Sequence, residues 1–150
     1  MNKIGSGTVN RVVFDASVVA KWLFREPGSD EAVSLLNKAD IVYEPDLFSI
    51  EIDAIISKKK RIKEISQDEA KTKRSLLSKF QFHSVSYKEV SDLAFELSVS
   101  LPLTLYDAFY LATAMVTNSV LYTADERLVR ALSTTKLNEF ISGIYSSEEC

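Results

Sequence analysis

The chain has one cysteine and one histidine. Cys150 is the last residue, so no disulfide can form within the chain and a cysteine-based metal site is not expected. His83 alone excludes a histidine-rich zinc site and any mechanism that needs two imidazoles. Four glycines and three prolines leave little room for linker or disordered segments. No apolar run is long enough to span a bilayer. The opening Met1-Asn2-Lys3-Ile4-Gly5-Ser6-Gly7 has a lysine but no apolar stretch behind it, so it does not read as a signal peptide. The expectation is a cytoplasmic chain whose 150 residues form a single domain. Its chemistry must rest on carboxylates, hydroxyls, lysine or arginine.

The net charge is −3, the wrong sign for a simple nucleic-acid binder. The distribution is more informative. Between Lys58 and Lys79 stand nine basic residues and three acidic ones, a net of +6, which leaves −9 on the rest. Lys58, Lys59, Lys60 and Arg61 head this basic arm. An acidic body beside a basic arm suits a nuclease whose acidic site is neutralised by cations. A solvated helical face accounts for the arm equally well.

Apolar runs alternate with helical patterns, the order of an α/β domain with a parallel sheet. The first strand is expected over Arg11 to Asp15, followed by a helix capped by Ser17. Pro27-Gly28 ends that helix and Ser29 opens another. Ile41-Val42-Tyr43 is a second strand. The helix after it, Asp46 to Lys60, should bury Leu47, Ile50, Ala54 and Ile55. Ser66 and Glu69 have the spacing of a capping box for a helix running to Phe80. Phe82 to Ser86 is a candidate third strand. Tyr87 to Ser100 is helical, with Val90, Leu93, Ala94 and Leu97 inward. Thr104 starts another helix, Val120 to Tyr122 is a fourth strand, and Asp125 to Leu132 is a short helix. Phe140 to Ile144 is a candidate edge strand.

Four acids stand out against this pattern. Asp15 ends the apolar run Val12-Val13-Phe14, which puts it at the carboxyl end of a buried strand, where open α/β sheets bind ligands. Glu51 interrupts the apolar positions of its helix, Asp107 opens an otherwise apolar helix, and Asp125 follows the fourth strand. Each has an ordinary explanation. Asp15 can finish a turn, Glu51 can pair with a base, Asp107 can complete a capping box with Thr104, and Asp125 can cap a helix. Taken singly, those explanations are preferred for all but Asp15, which stands evenly between the two. Taken together, four carboxylates on one sheet edge would repel one another unless a cation lies between them. Oxygen ligands of this kind suit Mg²⁺ or Mn²⁺. Two such ions about 3.5–4 Å apart can activate water and stabilise the leaving oxygen of a phosphodiester, with no need for His or Cys.

These residues resemble the PIN-domain family, and in particular its VapC-like toxins. Asp15-Ala16-Ser17-Val18-Val19-Ala20-Lys21-Trp22 is similar to the family's opening D-x-S-x-x-x-K-W block. Pro45-Asp46-Leu47 followed by Glu51 resembles the second block, although Ala54 stands where relatives often carry Asn. Tyr106-Asp107-Ala108-Phe109-Tyr110-Leu111-Ala112 and Thr123-Ala124-Asp125-Glu126-Arg127-Leu128 resemble the third and fourth. The resemblance implies a three-layer α/β/α fold with a central parallel sheet, and cleavage of single-stranded RNA with Mg²⁺ or Mn²⁺. It also implies a cognate antitoxin as partner and a tendency to form homodimers. By position, Asp15, Asp107 and Asp125 would hold metal directly or through water, and Glu51 would position or deprotonate the attacking water. Ser17 and Thr123 would stand beside the metals and orient Asp15, Asp125 or a water.

Lys21 and the head of the basic arm are candidates for contact with RNA phosphates, of a kind that depends on salt and little on sequence. Lys21 serves equally as a surface residue. Trp22, His83 and the aromatic run Tyr106, Phe109 and Tyr110 read as packing residues. Asp53 has no charge partner within reach on its own helix, and its place is left open. The alternative reading is a catalytically silent PIN-like module that binds RNA or protein, against which the four carboxylates argue. A haloacid-dehalogenase type would want Asp where Ser17 stands, and a receiver domain would want an acidic pair before Asp15.

Overall fold

The computed structural model describes residues 8–145. The expectations about the segment 1–7 and about Cys150 lie outside the described residues. Five parallel strands form one sheet in the order β3-β2-β1-β4-β5. The strands are β1 Arg11–Phe14, β2 Ile41–Pro45, β3 His83–Val85, β4 Val120–Thr123 and β5 Ile141–Gly143. The helices are α1 Ala16–Leu23, α2 Ser29–Lys38, α3 Leu47–Arg61, α4 Gln67–Leu77, α5 Tyr87–Ser100, α6 Leu105–Val116 and α7 Glu126–Leu132. A 3-10 turn, Lys136–Phe140, leads into β5.

β1 is the central strand, with Val12, Val13 and Phe14 fully buried between β2 and β4. From β1 the chain steps outward to β2 and β3. It then crosses through α5 and α6 to β4 on the other side of β1. Right-handed crossovers in opposite directions put their helices on opposite faces of the sheet. One layer groups α1 to α4, and the other is led by α6, which packs on β1, β2 and β4 with α5 behind it. The switch in direction opens a crevice between the carboxyl ends of β1 and β4.

Two local expectations are corrected. Ser17 does not cap α1. Asp15 is the cap, with its side chain accepting from the Val18 amide, and Ser17 sits in the first turn with its hydroxyl turned back on Asp15. A carboxylate beside free amide N–H groups is a stronger acceptor than the hydroxyl two residues on. The fully buried face of α3 is Phe48, Ile52 and Ile56; of the expected set, Leu47 and Ile55 are partly buried against the core, whereas Ile50 and Ala54 are not. Phe48 joins an aromatic cluster with Phe80 and Phe82, and this rotates the helix so that Ile50 is 68% exposed and Ala54 is exposed. Other elements match to within a few residues. The Ser66–Glu69 capping box is fully formed, although α4 ends at Leu77 rather than Phe80. Val90, Ala94 and Leu97 are buried on α5, with Leu93 half-buried.

No helix among the described residues is long and apolar enough to cross a membrane.

Candidate active site

Asp15 follows the last residue of β1, and its carboxylate is held from three sides. Ser17 Oγ donates to Oδ1 at 2.6 Å, Thr123 Oγ1 donates to Oδ2 at 2.6 Å, and the Val18 amide donates to Oδ1 at 3.2 Å. Thr123 is fully buried at the end of β4, and its hydroxyl also accepts from the Asp125 amide at 3.0 Å. One hydroxyl therefore ties the first acidic block to the fourth, 108 residues apart in sequence. Asp125 caps α7 by accepting from the Arg127 and Leu128 amides at 3.0 and 3.3 Å through Oδ1. Asp107 sits in the first turn of α6, where its amide donates to Thr104 Oγ1 at 3.0 Å. The capping roles are thus real for Asp15 and Asp125. At Asp125 the cap engages Oδ1, whereas at Asp15 Oδ1 accepts twice and Oδ2 once, which leaves a lone pair on Oδ2.

Asp15, Ser17, Glu51, Asp107, Tyr110 and Asp125 line one crevice of about 440 Å³. It lies at the carboxyl ends of β1 and β4, where the reversal of strand order opens the sheet. The carboxylates inside it disfavour one another's charge. Burial raises the pKa of Asp15, and the charge of Asp107 adds to that rise against the hydrogen bonds of Ser17, Thr123 and Val18. Burial also raises Asp107, with Thr104 opposing and Asp125 adding. Glu51 is raised by burial, eased by Tyr110, and pushed further by Asp15 and Asp107. Such mutual repulsion is what a divalent cation relieves. The donor set is oxygen only and fits Mg²⁺ or Mn²⁺. Among the described residues, no three acidic, histidine or cysteine side chains are gathered closely enough to ligate one ion together. Mg²⁺ keeps several of its waters and takes few carboxylates, so its binding does not require three of them together.

The candidate RNA contacts divide. Lys21 is only 13% exposed and pairs with Glu26 at 3.1 Å. Lys59 turns to the same Glu26 at 3.9 Å, to Glu64 at 3.2 Å, and lies over the Phe24 ring. Lys58 and Arg61 are exposed and Lys60 is half-exposed at the end of α3. Asp53 does not approach the crevice. It takes a bidentate pair from Arg74 of α4 at 2.8 and 3.1 Å. Trp22 is a packing anchor, edge-on to Phe14 and Phe80, with its indole N–H donating to the Ala32 carbonyl. His83 is exposed beside Tyr43.

One acid near the site is not singled out by the sequence pattern. Glu44, in β2, is fully buried, and neither carboxyl oxygen has a hydrogen-bond partner. Burial pushes its pKa well up, and the charge of Asp15 adds to this. A signal for it exists: Glu44 ends the apolar run Ile41-Val42-Tyr43 much as Asp15 ends its own.

Comparison with known proteins agrees with this fold. The PIN domain family model matches residues 12–132. The chain is 31% identical over 121 residues to Ribonuclease VapC3 of Pyrobaculum aerophilum, covering 79% of this chain and 92% of that one. A toxin–antitoxin complex from Klebsiella pneumoniae contains a similar fold, with a TM-score of 0.63 at 18% identity over 89% of this chain and 98% of that one. A sarcin–ricin-loop-cleaving toxin from Mycobacterium tuberculosis aligns with a TM-score of 0.57 at 14% identity over 75% and 86% of the two chains. With its parallel sheet, its acidic crevice at the switch point and this match over most of its length, the chain belongs to the PIN domain family.

Proposed function

We propose that this protein is a metal-dependent endoribonuclease that cleaves single-stranded RNA and acts as the toxin of a toxin–antitoxin pair. The observation that carries the reading is the Asp15 carboxylate, clamped by Ser17, Thr123 and the Val18 amide and turned to a crevice shared with Glu51, Asp107 and Asp125. Asp15, Asp107 and Asp125 would hold Mg²⁺ or Mn²⁺, in part through water. When bound, the metal would lower the pKa of water and stabilise charge on the phosphodiester oxygens. Glu51 stands half-buried on the α3 wall and orients the attacking water, accepting its proton. Ser17 and Thr123 keep Asp15 in one rotamer, so that the carboxylate need not reorganise when the substrate arrives.

The exposed Lys58, Lys60 and Arg61 would contact the RNA backbone, while Lys21 and Lys59 are engaged by Glu26 and shape the α1–α3 junction. The antitoxin is suggested by the toxin–antitoxin relatives. The homodimer we propose closes on the apolar hollow lined by Leu47, Ile50, Tyr87, Leu105, Tyr106 and Phe109.

The test is incubation of the partner-free protein with single-stranded RNA in Mg²⁺, Mn²⁺ or EDTA, beside Asp15→Asn and Asp107→Asn. Cleavage that requires metal and disappears in both variants is the expected result. Wild-type protein that neither cuts several RNAs nor binds metal by calorimetry would instead be the catalytically silent module.

A further inference from the structure

Glu44 is poorly explained as a structural residue. It occupies an interior position of a parallel sheet, fully enclosed, with both oxygens unpartnered. The Phe14 amide lies near it but outside hydrogen-bond geometry. An aliphatic side chain would fill that place without burying an acid. Buried polar atoms are nearly always bonded, so each exception asks for an account.

A second exception lies beside the first. Tyr110 of α6 is 2% exposed, and its hydroxyl oxygen is also unpartnered. α6 packs on β2, and the charges of both Glu51 and Glu44 act on the phenol. Its hydroxyl approaches the Glu51 carboxylate without meeting hydrogen-bond geometry. Tyr110 also lines the acidic crevice, while Glu44 does not. Tyr110 therefore shares the crevice with Glu51 while feeling the charge of the enclosed Glu44.

We propose that Glu44 and Tyr110 are a positioning pair for Glu51: the carboxyl of Glu44 donates to the phenol oxygen, and the phenol donates to the Glu51 carboxylate. This rests on the ribonuclease reading and adds two residues to it. Burial pushes Glu44 toward its neutral form, which carries one O–H, the donor such a chain needs at its inner end. A phenol accepts at its oxygen while donating its own hydrogen, so it can relay the alignment. Hydrogen bonds at such sites are often long before substrate binds and tighten afterwards, which accounts for the open geometry between the three groups. The pair fixes the direction of Glu51 toward the attacking water and leaves metal binding to Asp15, Asp107 and Asp125.

The experiment compares Glu44→Gln, Glu44→Leu, Tyr110→Phe and the double variant Glu44→Leu/Tyr110→Phe, all loaded with Mn²⁺. Gln keeps an N–H donor, so its kcat should stay within about threefold of wild type, whereas Leu and Phe should each lose about tenfold in kcat with KM unchanged. The double variant should be no worse than Tyr110→Phe, because both changes break one chain. Manganese affinity by calorimetry should be the same in all. Wild-type kcat in Glu44→Leu, additive losses, or loss of manganese binding with activity would each overturn the pairing.

A readout free of catalysis uses tyrosine labelled with ¹³C at Cζ, in the Mg²⁺-loaded protein. The Tyr110 resonance, identified by its absence from Tyr110→Phe, should move in both Glu44→Leu and Glu51→Gln. A resonance indifferent to either change overturns the proposal, even where RNA cleavage itself is not observed. Wild-type protein inactive on every RNA, with the resonance moving as expected, would instead count against the ribonuclease reading alone.

Discussion

Thr123 uses its single hydroxyl twice, donating to Asp15 and accepting from the Asp125 amide. Thr123→Val keeps the shape and strands both partners in a buried place. Leaving a buried polar group unpaired costs about 1–3 kcal/mol, so the melting temperature should fall. Losing the group that orients a ligand typically weakens metal affinity about 10–100-fold, which calorimetry would read. Ser17 makes an equally short bond to Asp15 but is exposed, and water can replace it. Ser17→Ala should therefore weaken metal binding less than Thr123→Val. Equal effects would mean that burial is not what makes Thr123 matter.

At the scale of elements, two helix caps of the same chemistry should differ in consequence. Thr104 caps α6 through the Asp107 amide, and Ser66 caps α4 through the Glu69 amide. Each substitution to Ala should cost about 1 kcal/mol of stability. Only Thr104→Ala should also weaken metal binding, because the first turn of α6 carries Asp107. A metal affinity equally reduced in Ser66→Ala would show that general loosening is responsible. The same scale explains why the buried face of α3 differs from its expected one. Its apolar residues Leu47, Phe48, Ile50, Ile52, Ile55 and Ile56 allow more than one buried stripe. The aromatic cluster of Phe48, Phe80 and Phe82 selects among them, and two of its members come from beyond α4. That rotation brings Glu51 to the crevice wall and turns Asp53 away toward Arg74.

For the whole molecule, burial and like charge set the pH response. Asp15, Glu44, Glu51 and Asp107 all have pKa values raised on folding. In the window between the unfolded carboxylate range, about 4, and those raised values, the unfolded chain binds fewer protons than the folded one. The metal-free protein should therefore lose stability as pH rises through that window. Asp30 and Glu89, lowered by Arg25 and Ser86, act in the opposite sense but are exposed and screened. Melting in EDTA from pH 4 upward should show the decline, and excess Mg²⁺ should offset it increasingly with pH. A metal-free stability that climbs with pH would sink this account of the crevice. At the same scale, neutralising Lys58, Lys60 and Arg61 should make the salt dependence of RNA binding shallower, by about 0.7 in log–log slope for each phosphate that no longer meets a cation. An unchanged slope would place the RNA elsewhere. Ile50→Asp, in the exposed apolar hollow, should convert a dimer to a monomer by light scattering, and an unaltered mass would remove that face as the interface.

The alternation of apolar runs and helical patterns determined the order of elements, because period and capping are local properties. The positions of Asp15, Asp107 and Asp125 were legible for the same reason: each ends a strand or opens a helix, and those points share one edge of a parallel sheet. Tertiary structure decided the rest. The sheet order sets β1 beside β4, and only then can Thr123 reach Asp15. Lys21 and Lys59 look like free cations in sequence, yet both fold onto Glu26. Glu44 is one acid after an apolar run until the fold encloses it completely and leaves both its oxygens without a hydrogen bond. Pairing and burial depend on contacts between residues far apart in the chain, and no local pattern encodes them.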